Sequence, residues 1–275
     1  MSDVVLYEKV GKVGRIIINR PEARNAFNRE LIQKLSALLD EANEDDSIHA
    51  VLISAAGDKA FSAGFDIKES IDDPVIEVMN RRKLTGTELS TWRKVWDLKK
   101  PVVCACQGFV IGGGLHLAFM SDMIIASEDA KFGEPELKFS YIPDILIEPW
   151  KLPMNKAREL LYLGEFFSAE ELRECGLVNK IVPFEKLEET AMEVANKMAE
   201  MPANAMQLLK FQINKTFEIQ GMRNAMDYAA EVFNQCRINQ AQTQETETFN
   251  LFNNFKAKNI NNPNIFQQKT ILDFF

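Results

Sequence analysis

Cysteine and histidine are scarce in this 275-residue chain, which has four of the first and two of the second. Cys104, Cys106, Cys175 and Cys236 are too few to staple a chain of this length, so a disulfide framework is excluded and a reducing, cytoplasmic setting is expected. The Cys104-x-Cys106 pair would put both thiols on one face of a strand. With only His49 and His116 to join it and no CxxC elsewhere, the pair reads as two buried small hydrophobes, and no metal is expected.

No block of Lys or Arg stands out either: 32 basic residues face 40 acidic ones for a formal net charge of -8, so nucleic acid is not an expected partner. Long hydrophobic runs are equally lacking. The most apolar window, Pro101 to Ala126, is interrupted by Gln107, His116, Ser121 and Asp122 and has glycines at its centre, so no membrane span is expected. Met1 to Glu8 has neither the basic region nor the apolar core of a secretory signal, and export is not expected. The G-x-G-x-x-G spacing of a dinucleotide site is missing too.

What is present alternates between two hydrophobic periods. Arg15 to Asn19 is a β-branched run ended by Pro21; Leu31, Ile32, Leu35, Leu38, Leu39 and Ala42 then recur at helical spacing behind a candidate N-cap, Asn28; Ala50 to Ser54 is strand-like again. This predicts a β-α-β unit with a right-handed crossover. It repeats as a strand over Val102 to Gln107, a helix from about Gly113 to Asp122 and a strand over Met123 to Ser127. Between the units, Asp72 to Lys100 carries Trp92, Val95, Trp96 and Leu98 at near-helical spacing, and the tryptophans read as core.

From Asn155 onward helices dominate. Ser168 to Glu171 is a capping box with Gly176 as its stop, and a short strand lies over Leu177 to Val182. Helices follow at about Glu185 to Met201, Pro202 to Phe217 and Met222 to Gln240, then an Asn- and Phe-rich tail. The length suits one main unit, residues 1–200, with a helical extension and tail over 201–275.

Two loops carry the chemistry. The run Gly112-Gly113-Gly114 has no side chains to block a ligand, and if a helix starts there its N–H groups and positive end point at an incoming oxygen. Gly57 to Glu69 is a second small-residue loop following a strand, where open α/β sheets hold ligands. Glu136 and Asp144 lie in an irregular stretch around Pro135 and Pro143 and can face one pocket.

Four segments resemble the enoyl-CoA hydratase/isomerase (crotonase) superfamily: Asn19-Arg20-Pro21 with Arg24-Asn25-Ala26, Phe61 to Glu69, Gly108 to Gly114, and Phe132-Gly133-Glu134-Pro135-Glu136. The resemblance implies an α/β fold, a β-β-α spiral core followed by a helical trimerisation region. It also implies an acyl-CoA thioester substrate, no cofactor beyond that coenzyme A, and a homotrimer or dimer of trimers. By resemblance, the main-chain N–H groups of Phe65 and Gly113 form an oxyanion hole, and Glu136 moves a proton beside the thioester. The coenzyme contacts fall on Ala63 and Asp66 for the adenine and on Arg24 and Lys68 for phosphate, unless those two cations are ordinary surface residues. The tail over Phe252 to Lys258 loosely resembles a segment that reaches a neighbouring subunit.

Two positions depart from the pattern. His116 stands where hydratases of the two-glutamate type carry their other glutamate. In the first turn of a helix it is expected to be neutral, and either accepts a proton from water or is bonded within the core. Asp144 replaces the usual glycine. It favours isomerase or hydrolase relatives, or else is a turn residue after Pro143. Hydration of an enoyl-CoA is therefore the leading expectation. An enoyl- or dienoyl-CoA isomerase, an acyl-CoA hydrolase and a non-catalytic acyl-CoA-binding protein are the alternatives.

Overall fold

A computed structural model describes residues 3–72, 77–139 and 141–243. The expectation placed on Phe252 to Lys258 lies outside the described residues. The chain runs β1 (Val5–Val10), β2 (Val13–Ile18), α1 (Arg29–Glu44), β3 (Ala50–Ala55), β4 (Ala60–Ser62), α2 (Ile67–Asp72), α3 (Val78–Asp97), β5 (Val102–Cys106), β6 (Phe109–Ile111), α4 (Gly113–Met120), β7 (Met123–Ser127) and β8 (Lys131–Gly133). After a short turn of 3-10 helix at Pro135–Phe139 come α5 (Glu148–Lys151), α6 (Met154–Leu163), β9 (Phe166–Ser168), α7 (Ala169–Glu174), β10 (Lys180–Val182), α8 (Phe184–Ala199), α9 (Ala203–Ile219) and α10 (Met222–Thr243).

The strands form two sheets. One has six strands in the order β1-β2-β3-β5-β7-β10, parallel except for the β1–β2 hairpin; the other has four, β4-β6-β8-β9, parallel except for β9. Of the first sheet, β3, β5 and β7 are each followed by a short strand of the second and then by helix, which is the β-β-α spiral. The first β-α-β unit is present as β2-α1-β3 with its strands parallel, whereas the second gains β6 between β5 and α4: three-residue strands such as β4, β6 and β8 are too short to show a period.

Glycine makes the turn from one sheet to the other possible. Gly108 sits at φ +53° between β5 and β6, and a Cβ there would collide with the carbonyl of Lys59. The glycine corner therefore follows β6, not the long buried strand β5 that the sequence pattern pointed to.

The unbroken apolar character of β3 and β5 has a simple cause: both faces are covered. Val51, Ile53, Val102, Cys104 and Cys106 join the main core with α1, α3 and α4, while Ala50, Leu52, Val103 and Ala105 meet Leu187, Ala191, Val194 and Ala195 of α8. Cys104 and Cys106 are buried side by side with Sγ atoms 3.6 Å apart, as the one-face reading expected. Asn28 caps α1 through Leu31 N–H, and Ser168 and Glu171 complete the capping box on α7. The helical extension is not detached: Met222, Met226 and Ala230 of α10 enter the main core, and Thr85 of α3 donates to Asn234 at 2.8 Å. No helix among the described residues is long and apolar enough to cross a membrane.

Candidate active site

The two glycine loops meet where β4 and β6 end. Gly64, at φ +83°, would press a Cβ to 3.3 Å of the Ile111 carbonyl and 3.8 Å of the Gly112 Cα, so the loops touch backbone to backbone. A third segment pins them. Ala63 N–H donates to Arg24 O, Phe27 N–H to Gly64 O and Asp66 N–H to Phe27 O, while buried Asn25, itself at φ +56°, ties its amide to the carbonyls of Ala56 and Ala60. Asn19 to Ala26 and Phe61 to Glu69, far apart in the chain, thus form one rigid unit. Trp92 Nε1 donates to Gly113 O at 2.8 Å and its ring packs against Phe27 and Phe65, so the tryptophan expected in the core also holds the glycine corner.

Gly113 opens α4, where first-turn N–H groups have no helical partner. Neither its N–H nor that of Phe65 donates to a backbone carbonyl among the described residues. Both residues line a cavity of about 160 Å³ together with Ala63, Asp66, Glu88, His116, Glu134, Glu136 and Asp144. Glu136 reaches back to the glycine corner: a Cβ on Gly112 would collide with its Oε1.

Charge is concentrated at the cavity floor. Buried His116 has Nε2 3.3 Å from Glu134 Oε2 and 3.2 Å from Glu148 Oε1, and Nδ1 3.6 Å from Asp144 Oδ1. Burial alone pushes the imidazole pKa down, but Glu134 and Glu148 outweigh it and hold the value well above the ordinary range. These carboxylates work against the neutral imidazole that the helix position suggests. A helix start contributes typically 0.3–1 kcal/mol, whereas carboxylates in a low-dielectric interior act far more strongly. Burial likewise lifts Glu136 well above an ordinary carboxyl, with Glu134 adding to it. It lifts Asp144 to about 6 against the pull of His116, and Glu88 to about 8 with help from Asp144.

The sequence model described as Enoyl-CoA hydratase/isomerase matches residues 8–254. The chain belongs to this family. Among relatives of this family member, the short-chain-enoyl-CoA hydratase of Clostridium acetobutylicum is 34% identical over 235 residues, 84% of this chain and 88% of the relative. The crotonyl-CoA hydratase of Syntrophomonas wolfei is 30% identical over 253 residues, 89% and 94% of the two. Among solved structures, an enoyl-CoA hydratase/isomerase from Xanthobacter autotrophicus Py2 superposes with a TM-score of 0.84 at 31% identity, covering 92% of this chain and 97% of that one.

Within this member of the enoyl-CoA hydratase/isomerase family, the structure brings Phe65, Gly113, His116, Glu136, Asp144, Ala63 and Asp66 to one cavity. The Asp66 carboxylate is engaged by Arg20 at 3.0 Å and by Glu69 N–H. Arg24 and Lys68 lie outside the cavity wall, Arg24 half-buried and Lys68 exposed. Sequence reasoning gave no role to Glu134, Glu148 or Glu88. Each left a trace: Glu134 flanks Pro135 opposite Glu136, Glu148 is a lone charge in the apolar run Ile145 to Trp150, and Glu88 shares a helix face with Leu84 and Trp92.

Proposed function

We propose that this protein adds water across the double bond of an enoyl-CoA thioester. In this reading the thioester oxygen accepts from the N–H groups of Phe65 and Gly113 as negative charge develops on it. Glu136 delivers a proton to the α-carbon, the water oxygen bonds to the β-carbon from the side of His116 and Asp144, and the proton that the water loses passes to the Asp144 carboxylate, from which solvent exchange restores Glu136. Donors fixed in place before the reaction need no reorganisation at the transition state, and one such donor is typically worth about 2.7–4 kcal/mol.

The observation that supports this reading most is the convergence of three independent segments. Gly64–Phe65, Gly112–Gly113 and Glu136 meet at one cavity, with the carboxylate against the glycine corner. The names of the relatives agree with it. With crotonyl-CoA, the conjugated thioester absorbance should decay and a 3-hydroxyacyl product appear by mass spectrometry, both lost in Glu136→Gln. An inert wild type would end the reading.

One observation favours a second reading, double-bond isomerisation. His116 is held among carboxylates, so it is poorly placed to take a proton from water. Turnover of 3-enoyl-CoA without hydration of crotonyl-CoA would select it. Coenzyme A enters only as part of the substrate. Arg24 and Lys68 are offered as phosphate contacts and Ala63 and Asp66 as neighbours of the adenine.

The reading extends to assembly and setting. Leu208, Leu209, Phe211, Ile213 and Ile219 leave an apolar face exposed on α9, which supports a homotrimer or a dimer of trimers. Four free cysteines, two of them adjacent, suit a reducing cytoplasm.

A further inference from the structure

The contacts around His116 are the wrong shape for hydrogen bonds. Its Nε2 stands 3.3 Å from Glu134 Oε2 and 3.2 Å from Glu148 Oε1, yet neither ring nitrogen has a hydrogen-bond partner among the described residues. Neither oxygen of Glu148 has one either, although that residue is 0% exposed. A single Nε2–H serves one acceptor well, and a charge-assisted bond would close to about 2.7–2.9 Å. Equal, longer and misdirected separations describe instead two edges of a coordination polyhedron. Ligand atoms about 2.1 Å from a tetrahedral or octahedral ion lie about 3.0–3.4 Å from one another.

Further features bear on this. The candidate ligand atoms of His116, Glu134 and Glu148 all lie within 4.8 Å of one another, so the Glu134–Glu148 edge is bounded less tightly than the two edges to the imidazole. Behind the ring, Asp144 Oδ1 lies 3.6 Å from Nδ1, beyond hydrogen-bond distance but on the side where a carboxylate orients a metal-bound histidine. His116, Glu134, Asp144 and Glu148 are all buried, so three carboxylates surround one imidazole where solvent supplies no counter-charge. His116 and Glu134 also line the cavity, which leaves a fourth position open toward it.

We propose that His116 Nε2 and the carboxylates of Glu134 and Glu148 bind one first-row divalent cation, with Asp144 as the positioning carboxylate on Nδ1. One imidazole and two carboxylates suit Zn²⁺ or Mn²⁺. The expectation of no metal looked for cysteine and histidine clusters, and this site uses one histidine with acids that the fold gathers. The proposal goes beyond hydration and does not depend on it, because binding is read without substrate.

The full-length protein, treated with EDTA and dialysed, is titrated calorimetrically with Zn²⁺ and separately with Mn²⁺, in excess Mg²⁺. One equivalent of at least one ion should bind. Affinity should fall more than about 100-fold in His116→Ala and Glu148→Gln, and about 10–100-fold in Asp144→Asn. Glu134→Gln and Glu148→Gln preserve side-chain volume and keep the test decisive if His116→Ala does not fold. Co²⁺ loaded in place of the ion should give visible absorption bands that are lost in Glu148→Gln. Absence of saturable binding, or binding that Glu148→Gln and Glu134→Gln leave unchanged, overturns the proposal.

Discussion

Lys210 and His116 are both buried nitrogen groups facing carboxylates, and the protein treats them differently. Lys210, on α9, donates to the carbonyls of Val95 and Lys100 at 3.3 and 3.1 Å and to Asp122 at 2.7 Å, while Asp122 also accepts from Val102 N–H. Three ammonium protons find three acceptors, and the cluster ties α9 to the ends of α3 and β5. His116, on the cavity floor, has carboxylates on two sides and completes a hydrogen bond with none of them. Buried polar groups are nearly always satisfied, so the first cluster is read as a clamp and the second as a site kept ready for something else.

That contrast can be broken or sharpened by experiment. The largest expected effect is catalytic: Glu136→Gln should lower kcat/KM on enoyl-CoA by about 10²–10⁴-fold, the usual range for a general acid–base group. The thermal midpoint should stay close to the wild type, because the change removes no clamp. A large loss of stability would show that the cavity carboxylates are structural after all.

Lys210→Met should do the reverse. It strands two carbonyls and a carboxylate, and urea unfolding should show about 2–4 kcal/mol less stability, with the kcat of the remaining folded enzyme unchanged. A neutral result would remove the distinction between the two clusters.

Gly112→Ala tests how the cavity is held. The new Cβ takes the place of Glu136 Oε1, the far end of a side chain that can swing away, so the fold should survive while kcat/KM falls about tenfold, or 1.4 kcal/mol. The residue's φ of +51° with ψ of -119°, a pairing that side chains disfavour, should add a stability loss of about 1–3 kcal/mol.

The smallest effect concerns Lys151, beside the clamp. Its ammonium lies 5.0 Å from the centre of the Trp96 ring, and burial lowers its pKa to about 8 despite Asp122, with Lys210 lowering it further. Below pH 8 both folded and unfolded chains carry the proton and the full penalty of burying the charge applies. Between about pH 8 and 10.4 the unfolded chain binds more protons, so stability rises with pH. Lys151→Met should therefore be more stable than wild type at pH 7. The gain should shrink toward pH 10 by about 1 kcal/mol, allowing for solvent screening of a partly exposed amine, as thermal melts across that range can measure.

Much of this was legible from residue order because it rests on local rules. Asn28 and the Ser168 capping box mark helix starts through their own side chains, and the runs at Ala50 and Val102 announce strands buried on both faces. The second sheet was not legible. β4, β6 and β8 have three residues each, and their pairing depends on where Gly108 lets the chain turn. At the site, Phe65, Gly113 and Glu136 were found through motifs. The carboxylates around His116 were not legible, because Glu134 and Glu148 lie on a different loop and a later helix.

The sequence by itself determined the family, the oxyanion candidates and the departure at His116, because motifs and periodicity are properties of short stretches. Only the tertiary structure decided what surrounds His116. Its charge and its partners depend on distances to Glu134, Asp144 and Glu148, and on the exclusion of water from the space between them. Electrostatic energies scale with separation and local dielectric, and neither exists until the chain has folded.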